Sequence, residues 1–273
     1  MSRTGDAHVR LVTFADGSLR WRLAGRRLER QAKKSGWFGS IHRWTRKTLH
    51  NEIPQFRREN PELDMDGTRG FGYWLWRSYI LMHELQSLNE GETLLFLDAG
   101  CQVNASPVSK IRFQQYLLEV RSAGNLIMEI DAPLSQWCKQ DLVLQFVTPE
   151  QARAMNLVEP GVFFLARNTS NAKLLDEWIA WSRARDYHYL DDSPSITANA
   201  ADFQEHRHDQ AILTCLGTRH DLHTIAQETY FPEEWRGRGQ HFPVWALRNS
   251  LPCSLYEPTP WSRLMTRLYV TNN

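Results

Sequence analysis

Apolar positions along the chain fall alternately into short runs and helical stripes. His8-Val9-Arg10-Leu11-Val12-Thr13-Phe14 alternates, is rich in β-branched residues and ends at Ala15-Asp16-Gly17, which predicts a strand and a turn. Leu19, Leu23, Leu28 and Ala32 then recur at roughly helical spacing among arginines until Ser35-Gly36 closes the segment. Phe38 to Trp44 reads as a second strand, and Asn51 to Asp66 as helix or loop. Gly70-Phe71-Gly72 leads into a helix whose positions Leu75, Tyr79, Met82 and Leu85 share a face. Leu94-Leu95-Phe96-Leu97, bracketed by Gly91-Glu92 and by Asn104 and Pro107, has the pattern of a strand buried on both faces.

Ser109 to Ser122 predicts another helix, Asn125 to Ile130 a strand, and Trp137 to Leu142 a polar segment entering a short helix. Pro160 to Asn168 reads as a second buried strand, and Ser170 as the cap of a helix with Leu174, Leu175, Trp178, Ile179 and Trp181 turned inward. Tyr187 to Phe203 has no periodicity and predicts a long surface loop of the kind that serves as a lid. It ends in Gln204-Glu205-His206-Arg207-His208-Asp209-Gln210, at the start of a helix whose apolar side is Ala211, Ile212, Leu213, Cys215 and Leu216. Strands alternating with helices predict an α/β domain. We expect one domain, with 8–105 and 106–228 as its halves and 229–273 wrapping over the sheet. Near its end, Arg263-Leu264-Met265-Thr266-Arg267-Leu268-Tyr269 has the spacing of a small amphipathic helix.

Composition narrows the class. With 42% hydrophobic and 23% charged residues the chain is an ordinary globular one. No apolar run approaches the roughly 20 residues a spanning helix needs, and no signal-type apolar core follows Arg3, so a cytoplasmic location is expected. Cys101, Cys138, Cys215 and Cys253 form no Cys-x-x-Cys pair, so they read as reduced and structural. The net charge of +1 conceals an asymmetry: up to Arg58 there are 14 Lys/Arg against 4 Asp/Glu, an excess of +10 that leaves −9 for the remainder. A basic lobe suits nucleotide phosphates, an anionic lipid surface or nucleic acid; it is equally what a solvated helix face looks like.

Three clusters carry candidate chemistry. Asp98 sits at the tip of the central strand, followed by Ala99-Gly100, and in open α/β sheets that edge faces the ligand crevice. A carboxylate there can hold a metal ion or simply begin a turn. Gly70-Phe71-Gly72 offers backbone N–H groups as an anion seat, with Arg77 one turn on, or else opens a tryptophan-rich core helix. His206, His208, Asp209 and Gln210 offer nitrogen and oxygen ligands that meet Asp98 if both ends share a cleft, or else cap a helix. No Gly-x-Gly-x-x-Gly follows the first strand, and no P-loop is present.

Taken in order, Gly70-Phe-Gly-Tyr-Trp-Leu-Trp-Arg77, Leu94-Leu-Phe-Leu-Asp-Ala-Gly-Cys101 and His206-Arg-His-Asp-Gln210 resemble bacterial glycosyltransferase-like proteins of surface and capsular polysaccharide loci, from about His8 to Leu216. The resemblance implies a single GT-A-like, Rossmann-like domain with a mostly parallel central sheet flanked by helices. It implies a nucleotide-sugar donor, UDP-linked, held around Thr13, Gly72, Trp76, Arg77, Asp98, Ala99, Gly100, Lys139 and Gln210. It also implies Mn²⁺ or Mg²⁺ at an Asp-x-Asp, but here Gly100 stands where the second Asp belongs. The metal then relies on Asp98 with His208, or Arg77 and Lys139 replace its charge. The acceptor would be a carbohydrate or glycolipid hydroxyl, met in the cytoplasm or at the inner membrane face and deprotonated by Asp209 or, second, by Asp141. A metal-dependent hydrolase and a catalytically eroded nucleotide-sugar-binding protein are the alternatives; nucleic acid is not an expected partner.

Overall fold

The structure, a computed structural model, describes residues 8–63, 68–231 and 234–249. Its strands are β1 (Val9–Phe14), β2 (Ser40–Trp44), β3 (Thr93–Leu97), β4 (Gln102–Val103), β5 (Asn125–Pro133), β6 (Asn156–Ala166), β7 (Thr224–Ala226) and β8 (Val244–Trp245). Six of them form one sheet in the order β2-β1-β3-β6-β5-β7, while β4 and β8 pair separately. β2, β1 and β3 are parallel, with Leu11 opposite both Ile41 and Leu95. β6 runs antiparallel to β3 and β5, and β7 is parallel to β5, so the sheet is mostly parallel with one reversed strand inside it.

Side chains alternate across a strand, so an uninterrupted apolar run feeds both faces at once. Leu94, Phe96, Phe163 and Leu165 point into one core, beneath helices Trp76–Gln86, Thr169–Arg183 and His208–Leu216. Leu95, Leu97, Val162 and Phe164 point into the other, beneath helices Leu19–Ser35 and Pro107–Ala123. The result is helices on both faces of the sheet. Among the described residues no helix is long and apolar enough to cross a membrane.

Local chemistry accounts for the element ends and for several departures from the sequence reading. Helix Leu19–Ser35 stops at Gly36, whose left-handed φ of +67 and N–H to the Lys33 carbonyl make it a C-cap. The cap of helix Thr169–Arg183 is Asn168, whose side chain accepts from the Asn171 N–H, and not Ser170. Helix Pro149–Ala154, opened by a Thr148 capping box, was not anticipated.

The largest departure is at Gly70, where a helix was expected. From Gly70 to Trp74 every φ lies between +51 and +79, a left-handed turn, and the regular helix begins only at Trp76. At Gly72 an added Cβ would come within 2.6 Å of the Leu63 carbonyl oxygen. Phe71, Tyr73 and Trp74 are not glycine, at about 1–2 kcal/mol each for that conformation. Stacking offsets this: Phe71 lies on Phe14 at 5.9 Å and Tyr73 on His208 at 4.9 Å. The N–H groups of Phe71, Tyr73, Trp74, Leu75 and Arg77 donate to carbonyls of Thr68, Arg69, Gly70, Gly72 and Trp74. Of the expected anion seat, the Phe71 N–H is therefore taken up by the backbone, and the turn is not the helix N-terminus that was expected there.

The described C-terminal segment ends at Asn249, whose N–H donates to the Gly100 carbonyl. Cys253 and the amphipathic 263–269 stretch lie outside the described residues.

Candidate active site at the carboxyl edge of the sheet

Sheet order fixes where a ligand can enter. From β1 the chain passes to β2 on one side and to β3 on the other, and such a reversal leaves a crevice at the strands' carboxyl ends. β6, being antiparallel, brings its N-terminal end to the same edge. Asp98 follows β3 there, its N–H bonded to the Gly161 carbonyl at 2.9 Å. A Cβ on Gly161 would stand 2.6 Å from Asp98 Oδ2, so only glycine lets the carboxylate lie across β6.

Arg77 organises the centre. Its guanidinium is 3% exposed, bonds Asp98 Oδ1 at 3.1 Å and makes a close ion pair with Asp209. Asp98 remains 45% exposed at its side chain, while Asp209 is buried. Burial pushes Asp209 up to about 7, with Asp98 adding to the rise and Arg77 opposing it. Arg77 itself is raised: burial alone would lower it, and the two carboxylates outweigh that loss.

A third carboxylate, Glu159 at the start of β6, was not anticipated. Burial pushes it up to about 7, and the nearby Asp98 adds to this, against hydrogen bonds from Thr229 and Gln227 and the charge of Arg248. Thr229 Oγ1 donates to it at 2.5 Å. Glu159-Pro160-Gly161 directly precedes the buried run of β6, and a glutamate entering a strand that must pair with β3 was the signal available in the sequence.

Below this centre, buried Arg27 donates to the carbonyls of Ala99 at 3.0 Å, Cys101 at 2.8 Å and Asn249 at 2.8 Å. It ties the Asp98-Ala99-Gly100-Cys101 turn to the C-terminal segment. Beside the centre, a cavity of about 430 Å³ is lined by Asp16, Arg46, Lys47, His50, Asn51 and Arg57, at the carboxyl ends of β1 and β2. Asp16 turns its oxygens to the backbone N–H groups of Gly17 at 2.7 Å and Arg46 at 2.6 Å. Cavity and centre are joined by a ladder: Arg46 over Phe71 at 5.0 Å, Phe71 on Phe14, Phe14 on Trp76 at 4.1 Å, and Arg77 over Trp76 at 5.4 Å.

The residues singled out from the sequence divide here. Asp98, Arg77 and Asp209 converge; Trp76, Ala99 and Gly100 support them. Trp76 is buried, its indole N–H bonded to the Gly70 carbonyl at 2.9 Å. Thr13 is fully buried near the end of β1, its hydroxyl without a hydrogen-bond partner among the described residues. Gln210 donates to the Val158 carbonyl at 2.8 Å and ties its helix to β6.

Four expected site residues have other partners or surroundings in the structure. Asp141 is not positioned as a base: His188 Nε2 lies 2.8 Å from it, and the N–H groups of Ile196 and Thr197 donate to it at 2.5 and 2.8 Å. Burial would raise it, but those bonds hold it well below the usual carboxylate range. Lys139 offers no phosphate contact; its ammonium is held by Asp191 at 2.9 Å, the His188 carbonyl at 2.7 Å and Ser193 at 3.1 Å. His208 gives Nδ1–H to the Leu190 carbonyl at 2.8 Å and turns Nε2 toward Asp192 at 3.6 Å. Asp209 in turn is too enclosed to reach an acceptor hydroxyl.

Among the described residues the implied Mn²⁺ or Mg²⁺ finds no fitting ligand set. Such ions need several oxygen ligands. Asp98 is bound to Arg77, and a Cβ at Gly100 would lie 2.9 Å from Arg248 Cα, leaving no room for a second carboxylate. No group of three or more His, Cys, Asp or Glu suited to a metal occurs among the described residues.

No family model and no curated protein matches the sequence. Similar solved structures include mouse xyloside xylosyltransferase 1, 11% identical, covering 87% of this chain and 97% of that one at a TM-score of 0.49. Another is a glycosyltransferase involved in glycosylation of the major capsid of PBCV-1, 8% identical over 87% and 91% at 0.42. A third is 4-diphosphocytidyl-2C-methyl-D-erythritol synthase of Anaerococcus prevotii, 10% identical over 96% and 98% at 0.40. Likenesses this distant carry no functional argument, which rests on the site's own residues.

Proposed function

We propose that the chain transfers a sugar from a nucleotide-sugar donor to a hydroxyl acceptor. The observation that carries this reading is that a shallow, cation-lined hollow of about 430 Å³ and a half-open carboxylate centre lie at the same carboxyl edge of the sheet. Cleaving a sugar–phosphate bond builds negative charge on the departing diphosphate, and Arg46, Lys47 and Arg57 line the hollow that would receive it. Asp98, held by Arg77 and 45% exposed at its side chain, would accept from sugar hydroxyls and fix the ring. Glu159, partly exposed where Asp209 is buried and also at about 7, would be the general base that takes the acceptor proton as the new bond forms. Asp209 positions Arg77. The sequence resemblance favours a UDP-sugar, and a surface polysaccharide or glycoconjugate acceptor reached from the cytoplasm.

Incubation with a panel of nucleotide sugars, followed by assay of released nucleoside diphosphate, tests the reading. We expect release that rises with added carbohydrate acceptor, survives chelation of divalent ions and falls at least a hundredfold in Asp98→Asn. Turnover of phosphoesters instead would make the protein a hydrolase, and donor binding without release an eroded binding module.

A further inference from the structure

We infer that Arg207 and Arg248 form a seat for a phosphate or carboxylate beside Glu159, so that the acceptor in the transfer proposed above is an anionic sugar. Calling the ligand an acceptor rests on the transferase reading; the seat itself rests on how the two arginines are held. Arg248 is carried on a left-handed backbone with φ of +51, and its Cα lies so close to Gly100 that a Cβ there would stand 2.9 Å away. The Asn249 N–H donates to the Gly100 carbonyl at 3.0 Å, and Arg27 donates to the Asn249 carbonyl at 2.8 Å. An exposed arginine is thereby fastened to the turn that carries Asp98. A left-handed arginine is strained, and strain of this kind concentrates where a side chain meets a ligand.

Arg207 approaches from the start of helix His208–Leu216. Its N–H donates to the Trp137 carbonyl at 2.9 Å, and its guanidinium lies over the Trp137 ring at 4.4 Å. Glu205 pairs with it at 2.9 Å and with Arg69 at 3.4 Å, so two guanidinium groups share one carboxylate. Burial lowers Arg207; Glu205 opposes the fall, and the like charges of Arg248 and Arg69 add to it. The charge of Arg248 also acts on Glu159, yet no acid among the described residues pairs with Arg248. Cations crowded beyond what the local acids neutralise, and offering planar forks of donors, are what an oxyanion needs.

Sheet order separates this seat from the basic hollow. The hollow lies at β1 and β2, Asp98 follows β3, and Glu159 lies near the start of β6, so they succeed one another along the edge. With the donor diphosphate in the hollow and its sugar at Asp98, the two arginines are left for the molecule that arrives beside the base.

Calorimetric titration of the full chain with glucose 1-phosphate, glucuronate and methyl glucoside, each with and without saturating UDP, tests the inference without any turnover. At least one anionic sugar should bind, methyl glucoside should not, UDP should displace neither anion, and binding should weaken as salt is raised. Glucose 1-phosphate against glucuronate tells phosphate from carboxylate. Arg248→Gln and Arg207→Gln should each weaken binding at least about tenfold, with part of the loss recovered in Arg248→Lys, while Lys47→Gln in the hollow should leave it unchanged. Arg248 is exposed, and an unchanged melting temperature of its variants checks the fold. The inference is overturned if no anionic sugar binds, if methyl glucoside binds as well, if UDP displaces the anion, which would place it in the hollow, or if Arg248→Gln binds as the unmodified chain does. UDP that fails to bind, beside an anionic sugar lost only in the arginine variants, would sink the transferase reading and leave the seat standing.

Discussion

Two clusters of buried charge flank helix His208–Leu216, and they are built on opposite principles. Around Asp141 each carboxylate oxygen has a donor, Lys139 has three acceptors, and His206 accepts from the Lys139 N–H at 3.3 Å while donating to the Tyr189 carbonyl at 2.9 Å. The network closes the 187–207 segment onto the short helices beneath it and holds Asp141 strongly ionised. Around Asp98 one guanidinium serves two carboxylates, a third stands beside them, and two of the three are raised to about 7. A satisfied network fixes a loop, whereas a set with more carboxylates than cations keeps protons exchangeable near neutrality. That difference, and not the residue types, separates scaffold from candidate chemistry here.

The strongest test is Arg77→Leu. It strands Asp209 in the core, and breaking a buried pair on one side costs about 3–5 kcal/mol. Urea denaturation should show that loss, and Arg77→Leu/Asp209→Leu should recover at least half of it. Lys139→Met, whose partner Asp191 is partly exposed, should cost less, about 1–2 kcal/mol. Equal losses at the two positions would erase the contrast.

Next in size is Glu159→Gln. Loss of a general base lowers kcat/KM by about 10²–10⁴-fold, with stability held or raised because a carboxylate that resists ionisation is removed. The rise of kcat/KM through about pH 7 should vanish with it. Asp141→Asn should behave in reverse: the 191–199 segment opens to protease while turnover per folded molecule persists. A rate defect in Asp141→Asn with the loop still protected would return that residue to the chemistry.

The two clusters also predict opposite pH slopes. Asp209 and Glu159 have folded values near 7, above their unfolded values of about 4. The stability they contribute is complete below about pH 4 and lost as pH rises to 7, at up to about 1.4 kcal/mol per pH unit for each group. His206 is pushed down to about 3, first by burial and then by the charges of His208 and Lys139. Its contribution is complete above about pH 6.5 and lost as pH falls. Relative to Glu159→Gln, the unmodified chain should lose stability from pH 5 to about 8. Relative to His206→Gln it should lose stability from pH 7 to about 4. Parallel profiles in both comparisons would show that the clusters do not differ.

The sheet was legible because its strands carry their own signal: Leu94-Leu95-Phe96-Leu97 and Val162-Phe163-Phe164-Leu165 are too apolar for anything exposed, and Asp98 marks where burial stops. Partnership was not legible. Asp141 and Asp209 are both acids in the first turn of a short helix, and only the fold decides that one meets backbone N–H groups and the other a buried guanidinium. The left-handed run at Gly70 was unreadable for another reason: Phe71, Tyr73 and Trp74 disfavour it locally, and tertiary stacking overrides the preference. Arg27 looked like one more surface arginine, since its helix shows six other cations and its inward turn depends on carbonyls more than seventy residues away.

The smallest effect discriminates most finely. Thr13 is fully buried near the end of β1, and its hydroxyl has no partner among the described residues. A buried hydroxyl without a hydrogen bond costs free energy, so replacing it by a methyl of the same shape should leave stability unchanged or raise it by about 1 kcal/mol. The expected counterpart is a donor affinity several-fold weaker in Thr13→Val, because the hydroxyl would then be a group kept for a ligand and not for the fold. Melting temperature and nucleotide-sugar binding, measured on the same preparation, give both numbers. A more stable variant with undiminished affinity removes Thr13 from the site and moves the donor away from β1, toward Glu159 and the C-terminal segment. A less stable variant means that the hydroxyl is bonded within the fold, which would place Thr13 with the satisfied network around Asp141 instead of with the open one.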